Sequence, residues 1–321
     1  MEAATLDAMM PIHVLASLAL CAAVSTSHAQ RLPFSTGDGN FSGEALMRGT
    51  QATQAQCAAA DQAVWAKLDT GEAECIRYWA SGFGPGGNPR ALVYLPADQI
   101  SSDRPEATYE SRNPKVMQEL ANSMQARAAQ PFILLTRPGI LGSSGDHKER
   151  RQAGEARLVS AALDEIKAKL GIREFGLVGL SGGGHTVAAL LGWRSDIVCA
   201  VPASAVSSPK LRWQSLGLAR DVTGLAGSYE PVEHLKAGVF HPALRVFVLG
   251  DPKDSEVPWV SQTPLAQRLR ELGVATETLT GEGVGIKRHV LGGSGQAVGA
   301  MCLAGKPTAE ILEAAARGLK G

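Results

Sequence analysis

Apolar positions along most of the chain fall in short runs of strand length, separated by longer stretches of helical period. Residues 132–136 (Phe-Ile-Leu-Leu-Thr), 175–178 (Phe-Gly-Leu-Val), 197–201 (Ile-Val-Cys-Ala-Val), 244–249 (Leu-Arg-Val-Phe-Val-Leu) and 275–279 (Ala-Thr-Glu-Thr-Leu) predict strands. Helices are predicted over 115–129, 149–170, 262–272 and 308–319, and 186–191 lies within another. In the longest of these, Leu158, Ala161, Ala162, Ile166 and Leu170 share one face. Two earlier apolar runs, 75–80 and 91–95, flank the Gly/Pro-rich connection 82–89 and predict an antiparallel pair. Alternating strand and helix with short connections predicts an α/β fold: a mostly parallel central sheet with helices on both faces. Residues 204–242 interrupt that alternation with a Pro/Gly-broken stretch following a strand carboxyl end, the place for a small lid insertion. Residues 30–53 are polar and aperiodic and read as an extended lead-in, which leaves 54–321 as one domain.

Composition narrows the classes. Of 321 residues, 45% are hydrophobic and 19% charged, enough apolar chain to fill a sizeable core and too much for a disordered protein. The 31 basic and 31 acidic residues balance, which argues against nucleic acid as a partner. Residues 1–29 carry an apolar stretch from Pro11 to Val24, too short for a bilayer span, followed by small and polar residues ending Ser27-His28-Ala29. That is the outline of a signal peptide cleaved after Ala29, although no Lys or Arg precedes Arg31. The mature chain then carries no integral membrane span, and the expected location is secreted or periplasmic. Cys21 would leave with the leader. Cys57, Cys75, Cys199 and Cys302 remain, and three disulfide pairings are open to them.

The chemistry concentrates at three places. Gly179-Leu180-Ser181-Gly182-Gly183 fits G-x-S-x-G, with a predicted strand before it and an apolar helix after it. Such a turn holds a serine Oγ clear of the sheet's carboxyl end and aims the amides of the new helix at any developing oxyanion. A serine needs a base, and the base an orienting acid. After the strand ending at Leu249 comes Gly250-Asp251-Pro252-Lys253-Asp254-Ser255-Glu256-Val257-Pro258, and after the last strand comes the segment from Gly281 to His289.

Over roughly residues 74–319 the chain resembles the α/β-hydrolase superfamily. The resemblance rests on the Gly179–Gly183 elbow, the Asp254-x-x-Val257-Pro258 string, the late loop histidine, and Arg137-x-Gly139-x-x-Gly142-Ser143, similar to the Gly/Ser loop after the family's fourth strand. Within it, the chain looks like the esterases and the prolyl-oligopeptidase-like peptidases, whose helix start before the acid strand is similar to Tyr229-Glu-Pro-Val-Glu-His234. The resemblance implies Ser181 as nucleophile, Asp254 as acid and His289 as general base. Asp251, nearer the strand end, is the alternative acid, although Gly250-Asp251-Pro252 also fits a turn. His185 reads as a packing residue on the elbow helix, and His234 and His241 precede the acid strand. His147, beside Arg150 and Arg151, reads as part of a surface cluster or of the substrate entrance. One oxyanion donor is the N–H of Gly182. Pro96 has no N–H, so Ala97 is the first choice for the other and Asp98 the second.

The function implied is hydrolysis of a small carboxylic ester through an acyl-enzyme, with no cofactor and no metal. A serine peptidase acting on short peptides is the alternative, since the basic loop 137–151 offers a place for a substrate carboxylate. A scaffold that binds without catalysis is a third class.

Overall fold

The computed structural model describes Met1 and residues 30–318, apart from 85, 87, 88 and 102. The predicted leader, 1–29, lies outside the described residues but for Met1, and Arg31–Gly321 clusters as a unit separate from Met1–Gln30. The central sheet has eight strands: β1 (Ala63–Lys67), β2 (Ala73–Ser81), β3 (Arg90–Leu95), β4 (Phe132–Leu135), β5 (Glu174–Leu180), β6 (Ile197–Ala203), β7 (Arg245–Gly250) and β8 (Ala275–Thr280). Their order is β1-β2-β4-β3-β5-β6-β7-β8. Strands β3 to β8 pair in parallel, while β2 runs antiparallel to both β1 and β4.

The expected pairing of 75–80 with 91–95 is therefore wrong. Strand β3 lies between β4 and β5, with Leu92 opposite both Phe132 and Gly176. Every residue of β3 after Arg90 is buried, so it needs a partner on each edge and a helix layer on each face. Strand β4 lies between β2 and β3, so the two run antiparallel without pairing.

Successive side chains divide between two cores, as the two-residue period requires. Val93 and Leu177 face α2 (Ala153–Leu170), α3 (Gly182–Leu190) and α4 (Trp259–Glu271). Leu92 and Val178 face α1 (Pro114–Ala128), α5 (Gly292–Leu303) and α6 (Thr308–Ala316). Helix α2 begins at Ala153 and not at 149, because Arg151 takes a left-handed φ of 62° and breaks the helical path. Glu155 in its first turn reaches back to accept the Arg151 N–H at 2.8 Å. In the lead-in, Leu32–Pro33 pairs with Thr50–Gln51, and Phe41 and Leu46 are buried beside Trp79 and Tyr109.

Among the described residues, two disulfides form. Cys57–Cys75 joins the segment before β1 to β2 across 18 residues, and Cys199–Cys302 ties β6 to α5 across 103. No helix among the described residues is long and apolar enough to cross a membrane.

Candidate active site

Strand β5 delivers Ser181 to the carboxyl end of the sheet in a conformation few L-residues adopt, φ 55° and ψ −114°. The flanking glycines make that turn possible. A Cβ on Gly179 would lie 2.3 Å from the Gly183 carbonyl oxygen, and one on Gly183 would lie 2.3 Å from that of Leu95. Both positions place backbone against backbone, so neither tolerates a side chain.

The loop after β7 holds Asp254 by its own backbone. Its Oδ1 accepts the N–H groups of Glu256 at 2.8 Å and Val257 at 2.9 Å, which gives the D-x-x-V spacing a physical role. Its Oδ2 lies 2.8 Å from His289 Nδ1. An ionised carboxylate only accepts, so Nδ1 carries the proton of a neutral ring and Nε2 is left as the acceptor. Asp251 does not meet His289. Its Oδ1 accepts the Lys253 N–H, and its Oδ2 accepts from Gly283 N at 2.9 Å and Arg288 Nε at 2.8 Å. Asp251 thus anchors the loop that carries His289.

Ser181, His289 and Ala97 line one cavity of about 820 Å³, and no hydrogen bond links Ser181 to His289. Among the described residues, neither the Gly182 N–H nor the Ala97 N–H has a protein acceptor. The Asp98 carboxylate closes this end: a Cβ on Gly182 would meet its Oδ1 at 2.0 Å.

In the expected surface cluster, His147, Arg150 and Arg151 are instead buried, His147 at 0% exposure. Asp98 is the reason. It accepts from Arg137 Nη2 at 2.8 Å and from Arg151 Nη1, and Arg150 Nε lies 3.3 Å away. Arg137 is further bound to Glu155 at 2.6 Å, and Arg151 to Asp221 at 3.1 Å. Burial alone would raise the Asp98 carboxyl, but the Arg151 and Arg137 guanidiniums hold it well below the usual carboxylate range. Arg137 is thereby paired with two carboxylates and does not line the Ser181 cavity, whereas Arg150 and Arg151 do. Arg212, from a short helix over Pro209–Ser215, joins them with no local signal in the sequence to mark it.

His185 packs beneath the elbow. Its Nε2 lies 2.9 Å from the Tyr229 carbonyl oxygen, while Nδ1 is buried without a partner among the described residues. Burial pushes its pKa down to about 4, with the bond to Tyr229 opposing. An unfolded chain titrates this ring near 6.5, so between pH 6.5 and 4 only the unfolded state takes up the proton. Stability is lost as pH falls through that window, by roughly 3 kcal/mol. In His185→Gln, urea unfolding at pH 7 and pH 4.5 should differ less than in the parent. An unchanged difference would refute this assignment.

No family model matches the chain, and no curated protein matches it in sequence. Solved structures do resemble it. An esterase of Pyrococcus furiosus superposes with a TM-score of 0.52 at 10% identity, over 80% of this chain and 96% of its own. Prolyl oligopeptidase B of Galerina marginata gives 0.52 at 11% identity, over 78% of this chain and 37% of its own. An acylaminoacyl peptidase of Pyrococcus horikoshii gives 0.47 at 13% identity, over 68% of this chain and 36% of its own. The chain thus spans little more than a third of the length of the two peptidases. With the strand order above, the likenesses to the Pyrococcus furiosus esterase and to prolyl oligopeptidase B identify the α/β-hydrolase fold.

Proposed function

We propose that the chain is an exported serine hydrolase that cleaves small carboxylic esters through an acyl-enzyme. Ser181 is the nucleophile, His289 the general base and Asp254 the residue that orients it. The observation that carries this reading is the Asp254–His289 hydrogen bond, which leaves Nε2 as the acceptor on a ring lining the cavity onto which the Ser181 turn opens. As Ser181 Oγ attacks the substrate carbonyl carbon, its proton passes to His289 Nε2. Negative charge develops on the carbonyl oxygen, and the two unpartnered N–H groups of Gly182 and Ala97 are the donors that receive it. His289 then protonates the leaving alcohol. Water repeats the sequence on the acyl-serine, releasing the acid and restoring Ser181. Contact between Ser181 and His289 forms when substrate closes the gap, as catalytic hydrogen bonds commonly do.

An apolar mouth favours esters over peptides. Val222, Val284, Ile286 and Val290 all line the cavity and all are exposed, Ile286 completely. The arginines of the same cavity favour the peptidase alternative, since a peptide carboxylate has a place beside them. The disulfides Cys57–Cys75 and Cys199–Cys302 support an oxidising, secreted or periplasmic location. A panel of p-nitrophenyl esters and aminoacyl p-nitroanilides tests the reading. Short esters should be turned over with kcat/KM at least tenfold above any anilide, and the reverse order would transfer the function to peptides.

A further inference from the structure

The cavity around Ser181 and His289 has a wall of guanidiniums that the hydrolytic mechanism does not use. Arg150, Arg151 and Arg212 line it, with exposures of 4%, 1% and 4%. Their charges are incompletely matched. Among the described residues, Arg137, Arg150, Arg151, Arg212 and the exposed Lys287 share Asp98, Glu155, Asp221 and Glu256, five cations against four carboxylates. Their donors are incompletely used as well. Arg212 gives Nε to the Glu256 carbonyl oxygen and Nη2 to the Glu256 carboxylate, both at 3.0 Å, but Nη1 has no acceptor among the described residues. Arg150 Nε, although 3.3 Å from Asp98 Oδ2, makes no aligned hydrogen bond. Buried guanidinium donors without acceptors are costly, and an anion placed among them removes that cost. Burial and the neighbouring Arg151 both work against the charge on Arg212, which gives the anion a further electrostatic reason to bind.

We propose that Arg212 and Arg150, backed by Arg151, form an anion subsite, so that the preferred substrate carries a free carboxylate as well as the scissile carbonyl. The proposal rests on the hydrolase reading above and narrows its substrate class. The surplus of one positive charge suits a monoanion, and the planar guanidinium fork suits a carboxylate. Arg212 is tied to Glu256, two residues beyond Asp254, so the subsite borders the loop that orients His289.

Two sources of such a carboxylate are distinguished by two substrate pairs. One pair is the 4-nitrophenyl half-ester of glutarate and its methyl ester; the other is an N-acyl dipeptide with a free or an amidated carboxyl end. In at least one pair the anionic member should have kcat/KM tenfold or more above the neutral one, with the advantage in KM. Arg212→Gln should collapse that ratio to near one, and Arg212→Lys should restore part of it. A ratio near one in the parent protein for both pairs, or one that Arg212→Gln leaves unchanged, overturns the proposal. Binding without turnover separates the subsite from the catalytic reading. Monomethyl glutarate, titrated calorimetrically into Ser181→Ala protein, should bind at least tenfold more tightly than to the Ser181→Ala, Arg212→Gln double variant. Equal affinity overturns the subsite. A tenfold loss sustains it even if neither substrate pair is cleaved, and the failure then belongs to the hydrolase reading alone.

Discussion

Ser181→Ala should lose nearly all turnover, on the order of 10⁶ in kcat, while the protein remains folded. The fold should survive because alanine introduces no atom that the serine lacked, and the turn is held by backbone contacts of Gly179 and Gly183. Ser181 N donates to the Ala203 carbonyl oxygen at 2.9 Å, and its own carbonyl accepts from His185 N at 3.0 Å; alanine keeps both bonds. A residual rate of roughly 10³-fold over water should persist, because the Gly182 and Ala97 donors and the cavity remain. Steady-state kinetics and far-UV circular dichroism check both halves. A variant that keeps more than a tenth of the parent kcat rules out Ser181 as the nucleophile.

Asp254→Asn should cost on the order of 10⁴ in kcat. An amide in place of Oδ2 can present a donor to His289 Nδ1, which favours the tautomer whose proton sits on Nε2 and cannot accept from serine. The remaining amide oxygen still accepts from Glu256 and Val257, so the loop should hold its shape. Asp251→Asn is the control. Asp251 is bonded to Gly283 and Arg288 and not to the imidazole, so its replacement should loosen the histidine loop and reduce kcat far less. The opposite ranking of the two variants would move the orienting role to Asp251.

The parts of this architecture legible in the sequence are those with short-range causes. Strands β4 to β7 read directly because their interiors are buried on both faces and so appear as continuous apolar runs. Ser181 and Asp254 each announce themselves through a local backbone requirement, two tight glycines in one case and an aspartate turn in the other. Other elements carry no such mark. Among the described residues strand β1 pairs along one edge, and its Ala-Val-Trp-Ala-Lys alternation is short and partly exposed. Helix α5 has no amphipathic stripe to find, because it meets the sheet through glycines. A Cβ on Gly299 would lie 2.5 Å from Val178 Cγ2, so close packing and not a hydrophobic face fixes its place. The arginines were the least legible. Charged residues ordinarily mark exposed surface, and at 147–151 that expectation fails because the carboxylates that bury them, Asp98 and Asp221, come from distant segments. Arg212 belongs to the same group, contributed by a stretch without periodicity.

In the proposed mechanism Ser181 is activated by His289 held on Asp254. Labelling with a fluorophosphonate, followed by mass spectrometry of the digested protein, tests it most directly, since the probe reports an activated serine whatever the natural substrate. The parent protein should gain one phosphonyl group, carried on Ser181. His289→Ala should lower the labelling rate by several orders of magnitude, and Asp251→Asn should not. Modification of a different residue, or labelling of Ser181 that is indifferent to His289, would contradict the account.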